Sequence, residues 1–153
     1  MEDEVLARRV AELLGGRTIA TAESCTAGRV AEVLACVAQA ADFLRGGLVA
    51  YQDEIKRGLL GVTAPSVLTA EAAAQMASGV ARLLDADVTV STTGVAGDEA
   101  EEGTPPGTVY IATSVDGRVA SSVHRFEGSP KQVCEQARGR ALLELIDAMT
   151  NGG

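Results

Sequence analysis

The chain has 153 residues, enough for one hydrophobic core, and 46% of them are hydrophobic, which excludes a disordered chain. The net charge of -8 excludes the basic surface with which nucleic-acid binders displace counterions from phosphates. Aromatic residues make up only 3%, so the expected core is built from Ala, Val and Leu.

The first element is a helix carrying Leu6, Val10, Leu13 and Leu14 at helical spacing, stopped by Gly15-Gly16. Residues 17–22 (RTIATA) read as a short strand. A second helix is expected to open at Glu23-Ser24-Cys25-Thr26 and to run to about Cys36. Residues 46–51 (GGLVAY) read as a strand, followed by a short helix over 53–60 that ends at Gly61. Thr69 can cap an Ala-rich helix reaching Leu84, and residues 87–93 (DVTVSTT) read as a buried strand. Residues 94–107 form a loop. Residues 108–115 and 118–126 form a hairpin joined at Asp116-Gly117. Ser129, Pro130 and Gln132 start the last helix with a capping box. That helix runs to about Met149, and the tail 150–153 is expected to fray.

Early alternation of strands and helices followed by a late hairpin predicts a single α/β domain over residues 1–153, with a mixed β-sheet. The acidic N-terminus, Met1-Glu2-Asp3-Glu4, lacks a signal-peptide pattern, and no apolar run is long enough to span a membrane. The three cysteines, Cys25, Cys36 and Cys134, form no C-x-x-C pair, and His124 is the one histidine, so no zinc spacing exists. A cytoplasmic protein with reduced thiols and no membrane partner is expected.

Three segments carry candidate chemistry. Ser24 stands between a strand end and an expected helix start, where free backbone N–H groups and the helix dipole suit a nucleophile beside an oxyanion site. The same position also suits a plain N-cap. Glu23 is either a site acid or a first-turn carboxylate facing the helix dipole. Lys56, in Tyr51-Gln52-Asp53-Glu54-Ile55-Lys56, can act as a general base only if burial lowers its pKa; otherwise it is a solvated lysine on a helix face. The stretch Thr93-Gly94-Val95-Ala96-Gly97 and the loop through Gly103-Thr104 either let backbone approach a ligand or make an ordinary connection. Cys25 is a second candidate nucleophile, with His124 its sole available partner.

Taken together and in order, these segments resemble the C-terminal domain of the CinA (competence/damage-inducible) family. Residues 22–28 resemble its Ala-Glu-Ser-Cys-Thr-Gly-Gly signature, and residues 47–62 (GLVAYQDEIKRGLLGV) its Tyr-Ser-Asn-Glu-x-Lys segment with the following Leu-Gly-Val. Residues 93–97 are similar to its Thr-Gly-Ile/Val-Ala-Gly, and residues 103–110 to its Gly-Thr-Pro and Gly-Thr-Val-Tyr stretch. The resemblance implies a three-layer α/β/α sandwich, self-association into a homo-oligomer, and a small-molecule substrate. It also implies an amidohydrolase that deamidates nicotinamide mononucleotide to nicotinic acid mononucleotide and ammonia without a metal or other cofactor. Carried over to this chain, Ser24 would attack the carboxamide, Lys56 would move the proton, and Tyr51 would assist by hydrogen bonding. Glu23, Thr26, Gly28, Thr93, Gly94, Gly97 and Thr104 would bind substrate.

The chain departs from the family pattern around the expected ligand. Ala27 replaces a glycine, a mild change if that residue is helical. Asp53 replaces an asparagine and, if close, would stabilise protonated Lys56. Residues 98–102 (DEAEE) place four carboxylates in five residues, either as a solvated loop tip or facing a bound phosphate that they would repel. After Phe126-Glu127-Gly128 the usual arginines are absent; Lys131 is the nearest cation and Cys134 stands near the second arginine position. A non-catalytic or altered-substrate binding relative is the alternative these departures raise.

Overall fold

The computed structural model describes residues 2–151. Its elements are α1 (Asp3–Leu14), β1 (Ile19–Glu23), α2 (Arg29–Ala35), a 3-10 turn at Ala40–Asp42, β2 (Leu44–Val49), α3 (Asp53–Leu60), α4 (Ala70–Leu84), β3 (Val88–Gly94), β4 (Thr108–Val115), β5 (Arg118–Arg125) and α5 (Pro130–Asn151). The five strands form one mixed sheet in the order β2-β1-β3-β4-β5. β1 runs parallel to both β2 and β3, whereas β3–β4 and β4–β5 are antiparallel.

Strand alternation builds the layers. Ile19 of β1 points into a core with α1, α2 and α5 (Val10, Leu34, Leu142), while Ala20 and Ala22 point into a second core with α3 and α4 (Leu60, Met76, Val80). The sheet is therefore covered on both faces, as the expected α/β/α sandwich requires. Small side chains let the second layer sit close. A Cβ on Gly79 of α4 would lie 2.0 Å from the Leu60 carbonyl oxygen, so α3 rests directly on the α4 backbone.

Local signals hold at several element ends. Thr69 Oγ1 accepts from the Ala72 amide at 3.0 Å, and Ser129 and Gln132 bond reciprocally at 3.2 and 2.8 Å as a capping box. Asp116 and Gly117 take positive φ angles of 50° and 85° in the hairpin turn.

Two expectations change. The helix expected to open at Glu23 begins at Arg29 instead, because Ala27 and Gly28 are left-handed, at φ 48° and 95°, and break the backbone after Ser24. Thr150 and Asn151, expected to fray, continue α5, with Thr150 Oγ1 donating to the Ile146 carbonyl at 2.8 Å. Gly152 and Gly153 lie outside the described residues, as does Met1.

Candidate active site

β1 and β3 are neighbouring parallel strands, and the chain leaves β1 toward α2 and β2 on one side while β3 leads to the antiparallel strands on the other. The carboxyl ends of two such strands leave a crevice between diverging connections. A cleft of about 990 Å³ opens there, lined by Ser24, Tyr51, Asp53, Lys56, Gly94 and the 96–102 loop among others.

Ser24 follows β1 directly, and its amide donates to the Thr92 carbonyl at 3.0 Å, extending the β1–β3 pairing by one residue. The side chain lines the cleft although the residue is only 4% exposed, and among the described residues its hydroxyl makes no hydrogen bond. The turn beneath it is built by Glu23. This carboxylate, 1% exposed, accepts from Thr21 Oγ1 (2.9 Å), Thr26 Oγ1 (2.7 Å) and the amides of Gly28 (3.1 Å), Val30 (2.9 Å) and Ala31 (2.9 Å). Five donors satisfy a buried charge that would otherwise be very costly. Glu23, Thr26 and Gly28 do not line the cleft; the Glu23 carboxylate accepts from the Thr26 hydroxyl and the Gly28 amide in the turn that carries Ser24.

Lys56, 3% exposed, reaches inward from α3. Its Nζ donates to Thr93 Oγ1 at 3.1 Å, and Thr93 Oγ1 donates to the Val67 carbonyl at 2.8 Å. Burial pushes the Lys56 pKa below its ordinary value, because the ammonium is held out of water. The Asp53 carboxylate is the largest of the opposing charges, with smaller contributions from Glu101 and Glu102. Lys56 is thus a desolvated lysine, and Asp53 opposes the lowering of its pKa, as its sequence position predicts.

Thr93 is fully buried and acts on Lys56; it does not line the cleft. Gly94 does line it, and it also permits strand pairing: a Cβ there would lie 2.4 Å from the Thr108 carbonyl oxygen. Gly97 lines the cleft with open space around its Cα. Thr104 is not on the cleft wall; its amide donates to the Glu101 carbonyl at 2.7 Å and closes the acidic turn. Tyr51 sits at the rim, 63% exposed, and makes no hydrogen bond to Ser24 or Lys56. Its expected assistance is not preformed.

The acidic segment resolves differently from either simple expectation. Residues 98–101 are exposed, yet Asp98, Glu99, Glu101 and Glu102 all line the cleft that holds Ser24 and Lys56. Sequence reasoning recognised the charge but could not place it, because loop direction depends on the Glu101–Thr104 pairing.

The remaining candidates fall away from the cleft. Burial, reinforced by neighbouring Cys134, leaves the Cys25 thiol pushed up to about 12, which disfavours the thiolate a nucleophile needs. Cys134 Sγ donates to the Cys25 carbonyl at 2.9 Å, so α5 packs against the turn that carries Ser24. His124 lies on β5, bonded to Ser122 at 2.8 Å and stacked on Phe126. Lys131 pairs with Glu135 on α5. Among the described residues, no three His, Cys, Asp or Glu side chains gather to hold a metal ion, and no helix is long and apolar enough to cross a membrane.

A CinA-like protein of Mycolicibacterium vanbaalenii is 37% identical over 152 residues, which cover 95% of this chain and 36% of that protein. The chain likewise spans about a third of the length of curated relatives from Desulforamulus reducens and Geobacillus kaustophilus. Protein YdeJ of Escherichia coli is 34% identical over 137 residues, 86% of this chain and 80% of YdeJ. The crystal structure of a competence damage-inducible protein from Klebsiella pneumoniae superposes with a TM-score of 0.95 at 33% identity, covering all of both chains. The CinA C-terminal domain matches residues 3–149, and the chain belongs to that family.

Proposed function

We propose that the chain is a serine amidohydrolase in which Ser24 is the nucleophile and Lys56 the proton carrier, acting on a nicotinamide-type carboxamide. Nicotinamide mononucleotide is the substrate that family membership suggests. The observation that carries this reading is a buried lysine with a lowered pKa lining the same cleft as a buried serine whose hydroxyl is unbonded.

Neutral Lys56 takes the Ser24 proton as Oγ attacks the carboxamide carbon. The resulting ammonium then gives that proton to the departing nitrogen, so ammonia leaves and an acyl ester remains on Ser24. Water attacks the ester carbon, Lys56 accepts the water proton and returns it to Ser24 Oγ, and the carboxylic acid is released. Three amides of the α2 start are spent on Glu23 and so are not free to hold the oxyanion.

The test is ammonia release from nicotinamide mononucleotide by the native protein and by Ser24→Ala. Turnover lost in the variant supports the reading, and full turnover in the variant sinks it. A non-catalytic binding role is the second reading, favoured by the Asp53, Glu101 and Glu102 charges that stabilise protonated Lys56. Serine-dependent turnover on any nicotinamide carboxamide removes it.

A further inference from the structure

The cleft wall carries five carboxylates, Asp53, Asp98, Glu99, Glu101 and Glu102, against one cation, the buried Lys56. Lys56 must be neutral to act as base, so in the reactive state the wall offers no compensating positive charge. The adjoining hollow, which shares Gly97 and Asp98 with the cleft, adds one cation, Arg125, and one further carboxylate, Glu127. The start of α5 adds no cation to the wall: Lys131 is exposed and pairs with Glu135, and Cys134 is buried against Cys25. The carboxylates do not form a metal-binding group among the described residues. They surround the mouth of a cleft whose lining includes Ser24, a residue 4% exposed whose hydroxyl has no hydrogen-bond partner among the described residues.

We infer that the acidic rim selects a cationic, unphosphorylated carboxamide, namely a pyridinium nucleoside such as nicotinamide riboside, over its phosphate monoester. This inference rests on the amidohydrolase reading for the identity of the reacting group, and on the charge of the wall for the selectivity. A pyridinium ring brings a positive charge into the negative field of the cleft. A phosphate adds about two negative charges at neutral pH and would be repelled by the same carboxylates. Rim charges are exposed, so their selectivity is screened by salt, with a Debye length of about 10 Å at 0.1 M.

Two measurements separate this inference from the reading beneath it. The first is the affinity of the Ser24→Ala protein for nicotinamide riboside and for nicotinamide mononucleotide by calorimetry, at low and high salt. The second is kcat/KM of the native protein and of a Glu99→Gln/Glu101→Gln/Glu102→Gln variant on both compounds. The riboside should bind and react at least about tenfold better than the mononucleotide at low salt, and the preference should shrink both in high salt and in the neutralised variant. Equal or tighter binding of the mononucleotide overturns the inference, as does failure of both compounds to bind, or a preference that the triple variant leaves unchanged. Preferential binding of the riboside without turnover of either compound sinks the amidohydrolase reading and upholds the charge selection.

Discussion

The Lys56 amine and the Thr93 hydroxyl are locked in a fixed direction: Thr93 Oγ1 spends its proton on the Val67 carbonyl and so can only accept from Lys56. One N–H of Lys56 is therefore tied to β3, and the nitrogen lone pair of the neutral amine is held in a restricted orientation. Thr93→Val should lower kcat by roughly tenfold to a hundredfold through loss of that positioning. It also removes an acceptor that favours the ammonium, so the ascending limb of the pH profile should move to lower pH. Thr93→Ser should restore both. A merely structural role for Thr93 would leave the position of the limb unmoved.

The pH dependence follows from the same lysine. Burial lowers its pKa, while Asp53, then Cys25, Glu101 and Glu102, raise it. A base must be neutral, so activity should rise with pH through the Lys56 pKa. Asp53→Asn removes the largest opposing charge and should shift that limb to lower pH, more than Glu101→Gln or Glu102→Gln does. Stability should rise with pH between the folded pKa of Lys56 and its ordinary value of 10.5, because in that window the unfolded chain binds the additional proton. Below the folded pKa the cost of a buried ammonium is fully present. Thermal unfolding of native protein and Lys56→Met across pH checks this: the difference should be largest below the folded pKa of Lys56, with the variant more stable by on the order of 1 kcal/mol, and should shrink as pH rises toward 10.5.

Glu23 makes a prediction about stability. Its two oxygens accept from five donors at 1% exposure. Glu23→Gln replaces one acceptor oxygen by an NH₂ group that must face N–H or O–H donors. Such a swap should cost about 3 kcal/mol, as expected for breaking a buried charge-assisted network. Denaturant unfolding measures it. Because Glu23 holds the turn that carries Ser24, activity per folded molecule should fall as well, which an ammonia assay at a temperature where the variant is fully folded checks.

Much of this arrangement was legible in the sequence because short-range physics fixes it. The Ser129–Gln132 box, the Thr69 cap and the Asp116-Gly117 turn are decided by neighbours within a few residues, and the structure keeps all of them. The alternation that sends Ile19 and Ala20 to different cores is equally local. The start of α2 was not legible, because Glu23 draws in amides up to eight residues ahead and no local pattern encodes that competition. The burial of Lys56 was open for a similar reason: its partner, Thr93, is 37 residues away. The direction of the acidic loop depends on a pairing inside a segment without regular structure, and charge alone could not supply it.

Ala27 departs from the family's glycine at a position that the structure shows to be left-handed, at φ 48°. A residue with a Cβ is disfavoured there by about 1–2 kcal/mol, and the exposed methyl group offers little packing in return. Ala27→Gly relieves this strain but gives the unfolded chain more freedom, an offset of roughly 0.5–1 kcal/mol. The net expectation is stabilisation by about 0.5–1 kcal/mol, seen as a rise in Tm of about 2–3 °C. The Ala27 amide still donates to the Ser24 carbonyl at 3.0 Å after the change, so the nucleophile turn keeps its geometry and turnover per folded molecule should not alter. Thermal unfolding and a parallel ammonia assay read the two quantities separately. A fall in Tm would mean that the left-handed turn is imposed so firmly by the donors on Glu23 that the alanine costs nothing, and that only the unfolded-state entropy of glycine remains.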